Sequence, residues 1–490
     1  MTTSPRPLRI GNVSASRTDR SSATAEFLAA ASIDVLALDM LSDEAVEALA
    51  EQRAAGGPGY ERAALVQIGE CLDRLVAGRA GEDGAGGNRA GEGGAGGVRI
   101  VTNAGALDPA GLARELRALA ADKGVELAVA HLDPGEVTDR ASALGLGDVD
   151  VATVRHGAFG IARALAAGAV VVVTGRVSRE ALVAGAAAAH HGWTPSALDA
   201  LAGSVAVGHV LSGGPGATGV VDSTTDVTRT TDPVTGGYPI AEIADDGCSV
   251  ITRHPSAFGS VTVGTVTDQL LDGVAGARYA APDVVLRLDS LRLAQEGTDR
   301  VRISGARGEQ APPVVAVVGM SRGGQGGADG RRPARVARPL PQDESGHTVV
   351  LPDGERVRVP VPRETAPIGP GELPVPWSAG AVPGGEPVTA TLGSVAGVRR
   401  GVVGRGVNIA VWTWDDSAFA WLAEELTAER FRQLVPGLEG MDTRLYLLPN
   451  LRAVNLVARP PRGEALRPGL GADLAAARLE IPGELLEVGP

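Results

Sequence analysis

The feature that most constrains this chain is the alternation of short apolar runs with helical stretches over residues 1–200. Five runs have the composition of buried strands: LRIGNV, IDVLALD, VRIVTN, VELAVAHLD and AVVVVTG. Stretches with helical periodicity, such as DEAVEALAEQRAA and PAGLARELRALAADKG, lie between them. Because strands that alternate with helices form parallel sheets covered by those helices, the pattern predicts an α/β fold with a mainly parallel sheet.

Composition divides the chain into regions. Residues 1–320 are predicted to form the α/β domain, with a flexible insertion at 78–97 that is rich in glycine and lacks apolar residues. A Pro/Gly-rich region at 321–386 is predicted to be a linker that contains a short hairpin, HTVVLPDGERVRV. Residues 387–490 regain strand and helix patterns and are predicted to form a small α+β domain with its own core.

Charge and hydropathy exclude several classes of partner. The formal net charge is −13, which argues against a nucleic-acid partner, because binding to phosphates needs concentrated Lys and Arg. No apolar run approaches the roughly 20 residues of a membrane helix. The N-terminal MTTSPRPLRIG lacks the basic and apolar parts of a signal peptide, so no membrane partner and a cytoplasmic location are expected.

Polar residues follow each predicted strand. They are Asn12, Asp19 and Arg20 after the first, Asp39 after the second, Asn103 and Gly105 after the third, Asp133 after the fourth, and Arg176 and Ser178 after the fifth. The carboxyl ends of parallel strands form the usual ligand crevice of an open α/β sheet. Arg176 is therefore predicted to hold a carboxylate or phosphate, and Ser178 to cap the next helix. The alternative for Arg176 is an internal ion pair with Asp19, Asp39 or Asp133.

Two histidines and one carboxylate are candidates for proton transfer. His209 lies among glycines in VAVGHVLSGGPGATG, and His156 lies just before a predicted helix in ATVRHGAFGIARAL. A histidine titrates near neutrality, which suits general acid–base work, and Asp39 is the third candidate. No metal-binding motif or phosphate-binding loop is present, so no metal or redox cofactor is predicted. Convergence of acidic strand-end residues and His156 on a divalent ion stays open.

Several stretches together resemble the acyclic terpene utilisation (AtuA) family. They include RIGNVSASRTDR, RIVTNAGALDPAGLA, ALAAGAVVVVTGRVSREALV, GGYPIAEIADDGCSVIT, YAAPDV and, near the C-terminus, GVNIAVWTW. The resemblance implies an N-terminal α/β domain, a small ferredoxin-like C-terminal domain, and breakdown of citronellol- and geraniol-type terpenes through acyl-CoA intermediates. The residues that match the family pattern are Asn12, Asp19, Arg20, Asp39, Asn103, Gly105, Asp133, Gly175, Arg176, Trp193, Gly208, His209, Tyr238, Pro239, Glu242 and Gln269.

The chain also departs from the family pattern. Ser178-Arg179 stands where relatives usually have Thr-Asp, and Ser212-Gly213 where they have Glu-Cys. In the C-terminal region Val402-Val403 replaces an Asp-Lys pair. The resemblance therefore implies a divergent member, with altered chemistry or none.

Two functions are consistent with these observations. The first is an enzyme that acts on a small branched or isoprenoid-like carboxylate or acyl-CoA by hydration, dehydration or C–C lysis, with CoA entering only as part of the substrate. In it Arg176 and Arg20 hold the anion, and the other polar strand-end residues line the site. The second is a non-catalytic binding or assembly partner. Whether His209 faces the same pocket as Arg176 distinguishes the two.

Four aromatic side chains are concentrated in the small domain. They are Trp412, Trp414, Phe419 and Trp421, in a chain with only 3% aromatic residues. Core packing is one interpretation, and an interface between domains or within a homo-oligomer is the other.

Overall fold

The computed structural model of the protein describes residues 6–14, 23–77, 97–219, 238–255, 259–321, 335–368, 382–461, 464, 466–467 and 469–488. The predicted insertion at 78–97 lies outside the described residues except for its last position. Asp19 and Arg20 also lie outside them.

Strands and helices alternate in the first part of the chain. They are β1 (Leu8–Ser14), α1 (Ala23–Ala30), β2 (Val35–Asp39), α2 (Asp43–Ala54), α3 (Arg62–Gly69), α4 (Leu72–Ala77), β3 (Arg99–Ala106), α5 (Pro109–Asp122), β4 (Val129–Leu132), β5 (Val151–Val154), α6 (Phe159–Ala166), β6 (Val171–Gly175), α7 (Ala181–His191) and α8 (Leu198–Leu211). Each of the five predicted strands is present.

The remainder contains mostly strands. Those of the large domain are β7 (Pro239–Ile243), β8 (Ser249–Arg253), β9 (Arg278–Ala280), β10 (Val285–Arg287), β11 (Arg292–Gly297), β12 (Arg300–Ser304), β13 (Arg307–Glu309), β14 (Val314–Met320), β15 (Arg335–Pro341), β16 (His347–Val350) and β17 (Arg356–Val359), with the helix α9 (Val263–Leu270). The small domain has β18 (Pro387–Thr391), β19 (Gly397–Val403), β20 (Gly406–Trp412), α10 (Asp416–Glu425), α11 (Ala428–Leu434), β21 (Asp442–Leu448), β22 (Ala453–Arg459), β23 (Arg478–Pro482) and α12 (Gly483–Val488).

One large sheet organises the first domain. Its strand order is β11-β12-β8-β7-β1-β2-β3-β6-β4-β16-β17. The central strands β1, β2, β3, β6 and β4 are parallel, whereas the strands added at both edges are antiparallel. This confirms the predicted α/β fold with a mainly parallel sheet, and it places the carboxyl ends of the five central strands along one edge.

Helices cover both faces of this sheet. Side chains of α1, α3 and α5 form one core with the sheet, and side chains of α6, α7 and α8 form the other. Helices α7 and α8 are built mainly of Ala, Gly and Val and are buried around most of their circumference. Such small residues permit close packing: a Cβ on Gly185 of α7 would lie 2.8 Å from the carbonyl oxygen of Ala158. The two helices therefore form an inner layer against the sheet.

The region predicted as a linker contributes strands. Strand β15 pairs with β14, which in turn pairs with β5 in a separate three-stranded sheet. The predicted hairpin is confirmed as β16 and β17, and β16 pairs with β4 at the edge of the large sheet. Residues 335–359 thus pack into the sheets of the first domain.

The starts of α9 and α7 are capped differently. The stretch SVTVGTVTDQLL forms no strand and contains only α9. Thr262 caps this helix in a reciprocal capping box with Thr265, so its side chain serves the helix start. Ser178 does not cap α7, which begins after Glu180 without a side-chain cap.

The small domain is α+β, as predicted. Its four-stranded antiparallel sheet has the order β19-β20-β22-β21. Strand β20 is followed by two helices and then by β21 and β22, and β22 lies between β20 and β21 in the sheet. This is the split β-α-β arrangement of ferredoxin-like folds. The fourth strand differs, because β19 precedes β20 as a hairpin and does not follow a second helical crossover. Phe419 and Trp421 are buried in this domain's core, which confirms the packing interpretation for those two rings.

A buried amide network joins the two domains. Asn408 of β20 accepts a hydrogen bond from the Gly273 N–H at 3.0 Å and donates to the Leu271 carbonyl at 2.7 Å and to Asn455 Oδ1 at 3.0 Å. Gly401 permits this approach, since a Cβ there would lie 2.0 Å from the Gly273 nitrogen.

Among the described residues, no helix has the length and apolar composition that a membrane span requires.

Candidate functional site

The ends of β2 and β3 are held together by an amide–carboxylate pair. Asn103 Oδ1 accepts a hydrogen bond from the Met40 N–H at 2.7 Å, and Asn103 Nδ2 donates to Asp39 Oδ1 at 2.6 Å. Burial raises the pKa of Asp39, while the charge of Arg179 and the Asn103 hydrogen bond oppose that shift. Both predicted residues therefore lie at the strand edge, and the Asn103 amide is used within the protein.

Arg176 is paired with a carboxylate of the protein. Its guanidinium contacts Asp43 in the first turn of α2, and Arg155 approaches the same Asp43 oxygen at 3.3 Å. Arg176 is only 6% exposed. The internal ion pair that was considered as an alternative is thus present, but its partner is Asp43. Asp39 and Asp133, the two predicted partners that lie among the described residues, do not form this ion pair.

His209 belongs to a compact cluster with Tyr279 and Glu180. The His209 and Tyr279 ring centroids are 4.7 Å apart, and the Tyr279 hydroxyl donates to Glu180 Oε2 at 3.4 Å. Gly208 allows close helix packing, because a Cβ there would lie 2.6 Å from the Glu180 Cα. The contact between α8 and the start of α7 therefore builds this cluster.

Burial sets the protonation states of the cluster. It lowers the pKa of His209 to about 4, although the charge of Asp272 opposes the shift. It raises the pKa of Glu180 and, together with the Glu180 charge, raises that of Tyr279 well above its ordinary value. His209 Nε2 is buried and makes no hydrogen bond to the described residues. At neutral pH the cluster thus presents an uncharged imidazole with an available ring nitrogen.

The charge of Arg179 affects all three residues of this cluster. Its charge opposes the pKa shifts of Glu180 and Tyr279 and adds to that of His209. The residue is exposed and makes no ion pair with any residue that the structure describes. Arg155 also lies close enough to favour the charged form of Glu180, and its side chain is 41% exposed. The charges of Arg155 and Arg179 thus act on Glu180 and Tyr279, and those of Arg179 and Arg399 act on the imidazole.

Three further predicted residues have structural contacts. Asn12 Nδ2 donates to the Leu211 carbonyl at 2.8 Å, which ties β1 to the end of α8. Gly105 lies where the register of β3 on β6 shifts, and a Cβ there would lie 2.6 Å from the Thr174 carbonyl oxygen. The Ser178 N–H donates to the His156 carbonyl at 2.9 Å, while its hydroxyl makes no hydrogen bond to the described residues.

His156 lies in a different place from His209. Its ring lies tilted against His347 with centroids 4.2 Å apart, in a narrow cleft of about 20 Å³ that Asp283 and Gln342 also line. Burial lowers the pKa of His156 well below its ordinary value and raises that of Asp283 to about 6. Only the His156 backbone meets the strand end, since its carbonyl accepts from the Ser178 N–H at 2.9 Å. The structure thus separates the two predicted catalytic histidines.

Several residues around the two histidines could not be singled out from the sequence. Arg179 was noted only as a departure from the family pattern, and Glu180 was not singled out although it directly precedes an apolar helix. Tyr279 and Asp283 lie in YAAPDV, which was used only as evidence of resemblance. The available signal was a charged pair placed immediately before a buried helix at a strand end.

Arg176 is connected to the cluster of His209, Glu180 and Tyr279 through intermediate charges. Asp43 connects Arg176 to Arg155, and the charge of Arg155 acts on Glu180 and Tyr279. Arg176 itself is directed to Asp43. Among the described residues, no three His, Cys, Asp or Glu side chains are placed so as to hold a metal ion.

Comparison with known proteins gives one match. Residues 8–328 match the sequence model of a family described as acyclic terpene utilisation family protein AtuA. No curated protein and no solved structure matches the chain.

Proposed function

Because this chain belongs to the acyclic terpene utilisation family AtuA, we propose that it acts in that kind of metabolism on a small branched or isoprenoid-like carboxylate or its acyl-CoA ester. The reaction is a proton transfer of the type used in hydration, dehydration or C–C lysis. One observation carries the proposal: Arg179 is exposed, makes no ion pair with any described residue, and acts by its charge on the neutral imidazole of His209.

Anion binding is assigned to Arg179, with Arg155 in support. A guanidinium can hold a carboxylate or phosphate through two parallel hydrogen bonds, and no protein carboxylate in the described residues competes for Arg179. The anchoring role expected for Arg176 passes to Arg179, since Asp43 already neutralises Arg176. An anion at Arg179 would lie over the edge of the sheet, next to His209.

Proton transfer is assigned to His209, assisted by Glu180 and Tyr279. A pKa of about 4 in the free protein is too low for an efficient base at neutral pH. A bound anion favours the protonated imidazole and compensates the charge of Arg179, so binding would raise the pKa of His209 toward neutrality. Glu180, whose pKa burial raises, and the Tyr279 hydroxyl are a second proton-transfer pair within the same cluster.

The test is hydrogen–deuterium exchange at carbon in D₂O, followed by NMR. The probes are citronellate, 3-methylbut-2-enoate and their CoA esters. We expect the wild-type protein to introduce deuterium beside the carboxyl or thioester group of at least one probe. His209→Gln should abolish this exchange, whereas Arg114→Gln, an exposed arginine on α5, should retain it.

Two outcomes would overturn the assignment of the reaction. Exchange that survives in His209→Gln would place the proton transfer elsewhere. Binding of the probes without exchange in the wild-type protein would favour the non-catalytic binding or assembly role.

A further inference from the structure

A second cleft lies at the junction of the two domains, away from the His209 cluster. It has a volume of about 350 Å³, which is at the lower end of the range of small-molecule sites. Its walls come from α9, β11 and the segments that follow β20 and β21, and they include Val263, Leu293, Trp412, Trp414, Arg292 and Arg452. We call it the junction cleft.

Two indole rings form a corner of the junction cleft. Their centroids are 5.2 Å apart and their planes are inclined at 66°. Trp412 is fixed, because its Nε1–H points to Asp268 Oδ1 at 3.4 Å and its ring packs on Gly264, where a Cβ would lie 2.7 Å from Cη2. Trp414 is 38% exposed. Because Trp412 is only 7% exposed, a flat ring placed in this corner stacks on Trp414, while its edge meets Trp412.

The charge of the junction cleft is positive. Arg292 is exposed and makes no ion pair within the part of the chain that the structure describes. Arg452 is compensated, since its Nε lies 2.6 Å from Asp416 Oδ1. Arg292 thus remains as an uncompensated cation beside an aromatic and apolar surface, which complements an anion.

We propose that the junction cleft binds an organic anion that carries a planar aromatic ring and has about the size of a mononucleotide. The ring stacks in the Trp412–Trp414 corner, and the anionic group pairs with Arg292. This site uses none of the residues assigned to proton transfer, so it stands or fails independently of the proposed reaction.

The experiment measures binding to the full-length protein by calorimetry and by quenching of tryptophan fluorescence. The probes are adenosine 5′-monophosphate and naphthalene-2-sulfonate as planar aromatic anions, and decanoate as an apolar anion without a ring. At least one aromatic anion should bind and quench, and decanoate should bind at least tenfold more weakly. Trp414→Leu should weaken binding of the aromatic probe about tenfold, because the probe loses the indole on which its ring stacks. Arg292→Gln should weaken it by a similar factor.

Matched controls replace an indole and an arginine elsewhere. Trp193→Leu, after α7, and Arg444→Gln, on β21, should leave the affinity within twofold of wild type. Equal binding of decanoate, absence of binding by both aromatic anions, or unchanged affinity in Trp414→Leu would each overturn the proposal. Both cleft variants change exposed side chains, and unchanged circular dichroism would show that they fold.

Discussion

Acidification should destabilise this protein in part through one residue, His209. Burial lowers its pKa to about 4 from an ordinary value of 6.5. The folded state therefore binds a proton on His209 less tightly than the unfolded chain does. The stability that depends on the neutral imidazole is present above pH 6.5 and is lost as the pH falls from there toward 4.

The magnitude follows from proton linkage. A single group with a pKa of about 4 when folded and about 6.5 when unfolded should cost about 2 kcal/mol of unfolding free energy between pH 7.5 and pH 5. Burial also lowers the pKa of His347 to about 4, so the wild-type loss contains more than one contribution. In His209→Gln the loss over the same pH interval should be smaller by about 2 kcal/mol, whatever the absolute stability of the variant.

The assay is urea denaturation at pH 7.5 and pH 5.0, followed by far-UV circular dichroism and fluorescence. His190→Gln, at the end of α7, is the matched control. It shows how much of the effect comes from replacing a histidine in general and how much is specific to His209. If His209→Gln loses as much stability on acidification as the wild-type protein, His209 is not a buried neutral imidazole. The reasoning about the cluster would then be refuted.

Two further predictions concern how the cluster and the domains are held in place. Gly208→Ala should lower the free energy of unfolding by ~1–3 kcal/mol, because the added Cβ meets the Glu180 backbone. The control is Gly297→Ala, where a Cβ meets nothing within 4 Å, and it should cost less than half as much. Equal costs in urea denaturation would contradict the packing argument. Asn408→Ala should lower the free energy of unfolding by about 3 kcal/mol, since it leaves several buried groups, among them the Gly273 N–H, without partners. Hydrogen exchange at the Gly273 amide should then become much faster. Unchanged exchange there would be evidence against the domain-docking network.

Much of the fold could be predicted from local pattern. The five central strands are apolar, so their burial and their alternation with helices indicated a parallel sheet. Strand β5, with only four residues, was missed because it pairs with β14, whose residues are far away in sequence. The strands β15 to β17 were hidden in a Pro/Gly-rich region, and their place depends on pairing with distant β14 and β4.

The site could be predicted only as far as the position of strand ends. Parallel strands bring their carboxyl ends to one edge, which correctly placed Asp39 and Asn103 together. The ion pair of Arg176 with Asp43 joins two elements distant in sequence, and no local pattern specifies it. Glu180 and Tyr279 become notable only through burial, which depends on α8 packing against the start of α7.

The proposed function requires an anion to bind at Arg179, whose charge acts on His209. Isothermal titration calorimetry can measure this binding for citronellate, 3-methylbut-2-enoate and their CoA esters, at pH 7.5, with wild-type, Arg179→Gln and Arg114→Gln proteins. We expect binding of at least one probe to wild type, an affinity at least tenfold weaker in Arg179→Gln, and unchanged affinity in Arg114→Gln. Wild-type affinity in Arg179→Gln would contradict this expectation.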